Sequence, residues 1–140
     1  MLKKFLKKLL LMLLAILISA PLAPIIMTIV EFLTGELERY DIWGELSLIS
    51  IFSIPFYIVL GIPVTIIIDA LNSKTKEPFG LESYLFQLFL YSLSAIAVNL
   101  LLSPPNYREA VTLLFSIPVY TYFHVLFYLR KRKAAKSLRI

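Results

Sequence analysis

Residues 52–57 read Phe52-Ser53-Ile54-Pro55-Phe56-Tyr57, and sixty-three positions later residues 115–120 read Phe115-Ser116-Ile117-Pro118-Val119-Tyr120. The two hexapeptides are identical at five of six positions, and each lies near the middle of an apolar run. A proline inside a helix lacks a backbone N–H and crowds the carbonyl four residues earlier, so Pro55 and Pro118 each predict a helix kink. We interpret the chain as two helical hairpins, each ending in one of these segments, related as a parallel internal repeat. Little identity exists elsewhere at this offset, and convergence of common membrane-helix residues is the alternative.

Apolar residues are concentrated in four blocks. Hydrophobic residues make up 59% of the 140-residue chain and charged residues 16%, whereas a soluble domain has about half and about a quarter. The blocks cover residues 9–30, 46–68, 84–102 and 110–129, each close to the roughly 20 residues that cross a bilayer as a helix. The sequence therefore predicts one transmembrane domain over residues 1–140, an all-α integral membrane four-helix bundle. Gly61 and Pro63 add a second point of weakness to the second block.

The first block resembles a secretory signal peptide in its basic start, apolar centre and small residues Ser19-Ala20. Cleavage after Ala20 would leave Pro21 at the first mature position, which signal peptidases reject. The apolar run also continues to Val30, which is long enough to span a membrane. We expect an uncleaved span, and a cleaved signal peptide is the alternative.

Small residues mark two of the blocks. Ala15, Ser19 and Ala23 are spaced four apart, which places them on one face of a helix. The third block contains four more small residues, Ser92, Ser94, Ala95 and Ala97. Such residues let helix backbones approach closely in a membrane, so both blocks are predicted to pack tightly against neighbours.

Basic residues are distributed unevenly between the two predicted sides of the membrane. The N-terminal segment, the second loop and the C-terminal segment together hold twelve lysines and arginines, and the first and third loops hold two. Cytoplasmic segments carry such an excess, so both termini are expected in the cytoplasm and the protein in the cell membrane. The acidic loop at residues 31–45 is then a solvated extracellular loop, with cation binding as the alternative. The net charge is +5, and the basic residues lie beside the apolar spans. This position predicts contact with lipid headgroups and no binding of nucleic acid.

Two tyrosines are predicted near the middle of the membrane, Tyr57 and Tyr120. A buried hydroxyl needs a hydrogen-bond partner, and carbonyls freed by Pro55 and Pro118 are the expected acceptors. Attachment of one helix to another is the first interpretation, and a role towards a substrate is the second.

Other polar residues fall in the cytoplasmic third of the predicted spans and form a candidate intramembrane polar site. Its members are Thr65, Asp69, Gln87 and His124. An ionisable group inside a membrane is a functional candidate, and Asp69 paired with His124 would relay a proton. The alternative is a neutral His124 that is hydrogen-bonded to Gln87 or to a carbonyl.

Catalytic patterns are absent from the sequence. One histidine and no cysteine exclude a pair of histidine ligands, a disulfide and a thiolate nucleophile. There is no glycine-rich phosphate loop and no Ser/His/Asp set at a common depth. The sequence predicts no enzyme, no cofactor and no metal site.

Four spans with basic ends, together with Gly61-Ile62-Pro63-Val64 leading to Asp69, resemble small four-span membrane proteins of Gram-positive bacteria. That resemblance covers the whole chain and implies a location in the cell membrane, without implying an activity.

The expected function is that of an accessory, regulatory or immunity-type protein acting through helix–helix contacts. Its expected partners are the lipid bilayer and either another membrane protein or a second copy. The alternative is a small transporter or channel with a path between the two hairpins. A holin-like pore former is less favoured by the acidic loop and the kinked helices.

Overall fold

The computed structural model describes residues 1–35, 42–73, 77–102, 105 and 108–138, without the side chains of residue 45 and residues 108–115. The helices are α1 (Leu2–Thr34), α2 (Ile42–Phe56), α3 (Ile62–Asn72), α4 (Leu81–Leu102) and α5 (Arg108–Ser137). A π-helical turn, Tyr57–Gly61, joins α2 to α3. These three elements form one continuous helix, Ile42–Asn72, which we call the α2–α3 rod.

The all-α prediction is confirmed, because α1, the rod, α4 and α5 each contain one of the predicted apolar blocks. Two of them extend well beyond their apolar residues. α1 begins among the N-terminal lysines and α5 continues to Ser137, since lysine, arginine and alanine favour helix as strongly as leucine does. α1, the rod and α4 are long and apolar enough to cross a membrane. This composition indicates membrane association.

The four helices pack as a ring. α1 contacts α2 and α5, α5 contacts α4, and α4 contacts α3. The rod and α5 therefore lie diagonally across the bundle, as do α1 and α4. Contacts within the two proposed hairpins are accompanied by contacts between them, of α1 with α5 and of α3 with α4. The contacts therefore do not separate the bundle into two hairpins, and the two-hairpin arrangement and the repeat stay predictions.

Hydrogen bonds between the helices define their directions. Ser92 bonds to Tyr120, and Tyr84 bonds to His124, so α4 runs antiparallel to α5. The rod runs parallel to α5, because Tyr57 meets Pro118 near one end and Asp69 meets Arg130 near the other. We call the end where α1 begins and α5 finishes the basic end, since it carries the lysines and arginines of both segments.

The buried interior combines small residues of α1 with large residues of α5. Ala15, Ser19 and Ala23 are all almost completely buried, in agreement with the predicted packing face. α1 contacts α5, and Tyr122 and Phe123 of α5 belong to the same hydrophobic core cluster as Ala15. Small side chains on one helix let its neighbour approach closely, so this face of α1 favours close packing in a core that holds bulky rings.

The rod departs from α-helical geometry between two prolines. The Ile62 N–H bonds to the Tyr57 carbonyl, five residues back, and this wide turn lies between Pro55 and Pro63. Wide turns of this kind occur where the regular hydrogen-bond ladder is broken. In α5, by contrast, the helix continues through Pro118. The positions that correspond to Gly61 and Pro63 there are His124 and Leu126, so the second segment lacks the second proline.

Candidate functional site

The two repeated hexapeptides meet in the interior of the bundle. The Tyr57 hydroxyl donates to the carbonyl of Pro118 over 3.0 Å, and Tyr57 is buried. The expected acceptor was a carbonyl freed by a proline, which belongs to the residue four positions earlier. The observed acceptor is the carbonyl of Pro118 itself, because the diagonal placement of the rod and α5 brings Tyr57 level with that proline.

Tyr120 has a different environment. Its hydroxyl lies 2.8 Å from the Ser92 hydroxyl of α4, and Tyr120 is half-buried. The expected bond to a proline-freed carbonyl is therefore replaced by a bond to a neighbouring helix. The two tyrosines occupy equivalent positions in the hexapeptides but attach to different helices.

About two turns further along the rod, three hydroxyl groups meet around Thr65. The Thr65 Oγ1 lies 2.7 Å from the Tyr91 hydroxyl and 3.2 Å from the Tyr122 hydroxyl. A hydroxyl has one proton to donate and lone pairs to accept, so Thr65 can donate to one tyrosine while it accepts from the other. Because Thr65 and Tyr122 are fully buried, this cluster joins the rod, α4 and α5 inside the bundle.

Towards the basic end, Asp69 forms an ion pair with Arg130. Two guanidinium N–H groups donate to the two carboxylate oxygens over 2.7 and 2.8 Å, which is the strong bidentate form of this contact. Both side chains are less than one fifth exposed. Asp69 is thus not paired with His124, and the proposed proton relay between these two residues is not assembled in this structure.

His124 lies on the exposed side of α5. Its Nδ1 is 2.7 Å from the Tyr120 carbonyl, and its Nε2 is 3.0 Å from the Tyr84 hydroxyl. A carbonyl only accepts, so Nδ1 carries a proton, and Nε2 of a neutral ring then accepts from Tyr84. This arrangement agrees with the alternative of a histidine hydrogen-bonded to a carbonyl.

Gln87 belongs to a third group, where α3 ends and α4 begins. Its Nε2 donates to the Ser83 Oγ over 3.0 Å, and the Asn72 Nδ2 donates to the same oxygen over 2.9 Å. Ser83 is fully buried, so these bonds hold the two helix ends together. The four predicted site residues thus do not converge, although Thr65 and Asp69 share one face of α3.

We use the name polar ladder for the polar residues between the rod and its neighbours. It comprises Tyr57, Thr65, Asp69, Tyr91, Tyr122 and Arg130. In the described part of the chain, every buried side-chain nitrogen or oxygen has a hydrogen-bond partner. The ladder is therefore a set of hydrogen-bonded groups that holds the rod against α4 and α5, and it leaves no unpaired acid, base or nucleophile among these buried atoms.

Sequence reasoning missed three members of the ladder, Tyr91, Tyr122 and Arg130. A usable signal exists in α5, where Tyr122, Leu126 and Arg130 follow at intervals of four and therefore lie on one helix face. Asp69 and Arg130 also stand at the same predicted rim of the membrane. An acid at that depth requires a basic partner, and this requirement favours Arg130 over His124.

An apolar cavity of about 350 Å³ lies beside the ladder tyrosines Tyr57, Tyr91 and Tyr122 and extends away from the basic end to Leu48. Its walls come from α2, the π turn and α4, with Met27 of α1 and Pro118 of α5 also contributing. It exists because the rod packs on α4 mainly through α3, while α2 stands further away. We call this cavity the α2–α4 cleft.

No group of three or more histidines, aspartates or glutamates is placed to hold a metal ion among the residues that the structure describes. No family model, curated protein or solved structure matches the chain.

Proposed function

We propose that this chain is a multi-pass protein of the bacterial cell membrane that acts as an accessory, regulatory or immunity-type protein through helix–helix contacts. Both termini face the cytoplasm in this proposal, as the distribution of basic residues predicts. The resemblance to small four-span proteins of Gram-positive bacteria belongs to the same proposal. The partner is another membrane protein or a second copy of the chain, and lipid surrounds both.

The proposal rests on the distribution of side chains: polar groups are hydrogen-bonded inside the bundle, and large apolar residues face outwards. Each member of the polar ladder is hydrogen-bonded within the bundle, and the ladder ends at Tyr57, which bonds to the Pro118 carbonyl. The lining of the α2–α4 cleft beside it is mainly apolar. A transporter or channel needs polar groups that face one another along a continuous path. Meanwhile many large apolar residues point outwards, including Leu17, Val59 and Phe89. The surfaces that remain for interaction are apolar helix faces within the bilayer.

Site-specific photo-crosslinking in native membranes tests this proposal. Benzoylphenylalanine is placed singly at Leu17, Val59 or Phe89, which are exposed on three different helices. We expect one of these faces to crosslink to a discrete protein, either a partner or a second copy. Thr34 is exposed on the same helix as Leu17 but at its end, so the same probe at Thr34 is the control that leaves the core intact and should not give the discrete crosslink.

The alternative is tested with purified protein in proteoliposomes. Ion or solute flux that depends on the protein, together with no protein crosslink from any of the three faces, would favour a transporter or channel and contradict the proposal. A crosslinked partner without flux supports it.

A further inference from the structure

We propose that the α2–α4 cleft binds an acyl chain of a bilayer phospholipid from the leaflet away from the basic end. This inference rests on the proposed function in one respect, since it requires the bundle to span the bilayer. It adds a ligand, a site and a side of the membrane.

The cleft has the size and position of a ligand site. Its volume of about 350 Å³ falls in the range of about 300–1,000 Å³ that is usual for such sites, which often lie between the helices of bundles. It extends from the surface to the interior. Phe52 and Leu48 on its wall are more than half exposed, whereas Met27 at its back is buried.

The chemistry of the wall selects a hydrocarbon. The Ser53 hydroxyl donates to the Ser50 carbonyl, and the Ser94 hydroxyl donates to the Leu90 carbonyl. The Tyr57 hydroxyl on the wall is bound to the Pro118 carbonyl, and the two other tyrosines on the wall, Tyr91 and Tyr122, bond to Thr65. No charged residue occurs among the described residues of the lining. A molecule that matches this wall therefore carries no charge and no hydrogen-bond donor. A hydrocarbon chain meets both conditions.

The cleft is long and follows the rod. Its lining on the rod runs from Leu48 to Val64, and sixteen residues of helix rise about 24 Å at about 1.5 Å per residue. The hydrocarbon core of a bilayer is about 30 Å thick, so the cleft extends through most of it from the side of Leu48. Exposed Trp43 follows on the outer side, as expected for a residue at the membrane interface. A phospholipid with its headgroup at that level would place one chain along the cleft.

An unfilled cleft would be energetically unfavourable. Its lining atoms would lack partners for dispersion contacts, which protein interiors normally supply at close packing. In a bilayer, acyl chains are present at the mouth at very high concentration, so they are the first molecules available to fill it. A long isoprenoid would exceed the length of the cleft, and a helix from a second copy is wider than a single chain.

Native mass spectrometry of the full-length protein, extracted from membranes in a mild detergent, tests the inference. We expect wild type to retain one phospholipid after collisional activation has removed the loosely bound lipids. Val98→Phe fills the cleft from α4, where Val98 is a lining residue, and should lose this adduct. Ile96→Phe adds the same ring on the exposed side of the same helix and should keep it. Thermal unfolding of each variant shows whether it is folded.

Leu48→Trp is the second variant, because Leu48 is exposed at the mouth and its replacement does not disturb buried contacts. It should also reduce the phospholipid adduct. Absence of any adduct on wild type, an isoprenoid mass in its place, a dimer without lipid, or an adduct unchanged in folded Val98→Phe and Leu48→Trp would each overturn the inference. A protein partner found by crosslinking without a retained phospholipid would contradict this inference alone, leaving the proposed function standing.

Discussion

Arg130 holds both carboxylate oxygens of Asp69 at 2.7 and 2.8 Å, although sixty-one residues separate the two in the chain. The pair joins α3 to α5 at the basic end, diagonally across the bundle. It is largely shielded by the protein, because each side chain is less than one fifth exposed. Removal of either partner leaves the other charge without compensation in this environment.

We expect Asp69→Asn and Arg130→Gln each to lower the free energy of unfolding by about 3 kcal/mol. The double variant should cost little more than either single one, because the second change removes a charge that is already unpaired. Unfolding by SDS in mixed micelles measures these values as a double-mutant cycle. Arg132→Gln, at an exposed position of the same helix, is the control and should be close to wild type. Additive losses in the cycle would show that the two residues do not interact.

Thr65→Val tests the hydroxyl cluster. Valine keeps the shape of threonine but removes the oxygen that both Tyr91 and Tyr122 contact, so buried hydroxyls lose their partner. The expected loss of stability is about 2 kcal/mol. Thr28→Val is the matched control, because the Thr28 hydroxyl bonds to the Pro24 carbonyl of its own helix. Equal effects of the two substitutions would argue against the cluster.

The two hexapeptide tyrosines should behave differently in combination with Ser92→Ala. Tyr120→Phe and Ser92→Ala remove the two ends of one hydrogen bond, so their effects should be coupled, with about 1 kcal/mol for the bond itself. Tyr57→Phe removes the bond to the Pro118 carbonyl and should add independently to Ser92→Ala. Thermodynamic cycles in detergent distinguish these cases. Coupling of Ser92 to Tyr57 in place of Tyr120 would contradict the observed geometry.

The same reasoning changes the expectation for Pro55→Ala. Tyr57 does not use a carbonyl that Pro55 frees, so Tyr57→Phe should cost the same with and without Pro55→Ala. Additive effects in this cycle agree with the structure. A strong coupling would instead show that Tyr57 bonds to a carbonyl freed by Pro55.

Ser19→Leu tests the small-residue face of α1. Ser19 is fully buried where α1 meets its neighbours, so a larger side chain forces the helices apart and should cost about 3 kcal/mol or more. Leu17→Ile lies on the exposed side of α1 and should have little effect. Thermal unfolding in detergent compares the two. Equal stabilities would mean that α1 does not pack closely through this face.

The orientation in the membrane is accessible because the chain contains no cysteine, so single cysteines report one position each. Ser73 and Thr34 are exposed near opposite ends of the bundle. An impermeant maleimide applied to intact cells should label Thr34→Cys and leave Ser73→Cys unlabelled until the cells are opened. The reverse pattern would place the basic end outside.

The positions of the helices could be predicted from the sequence, because a long apolar run can adopt only a few structures in a membrane. A run of about 20 apolar residues satisfies its backbone hydrogen bonds internally only as a helix or a closed barrel. The small-residue face of α1 was predictable for a similar reason, since a spacing of four puts Ala15, Ser19 and Ala23 on one side of any helix. The N-terminal end of α1 and the C-terminal end of α5 were not predictable in this way, because their charged residues continue each helix beyond its apolar block.

The candidate site was only partly predictable. Thr65 and Asp69 were identified because polar side chains within apolar blocks need partners, and the structure gives partners to both. Their identities depend on which helices are neighbours. Asp69 pairs with Arg130 and His124 pairs with Tyr84 because α5 presents Arg130 to the interior and His124 to the outside.

By itself, the sequence determined that this protein is helical and where its apolar helices lie, and the apolar composition of these helices indicates membrane association. These properties depend on local hydrophobicity and backbone hydrogen bonding, which each segment carries in its own residues. Only the tertiary structure decided that the rod and α5 lie diagonally opposite, that Tyr57 bonds to Pro118, and that a cleft opens between α2 and α4. Those features depend on the order of helices around the ring and on their rotation about their axes, which arise from the packing of all four helices together.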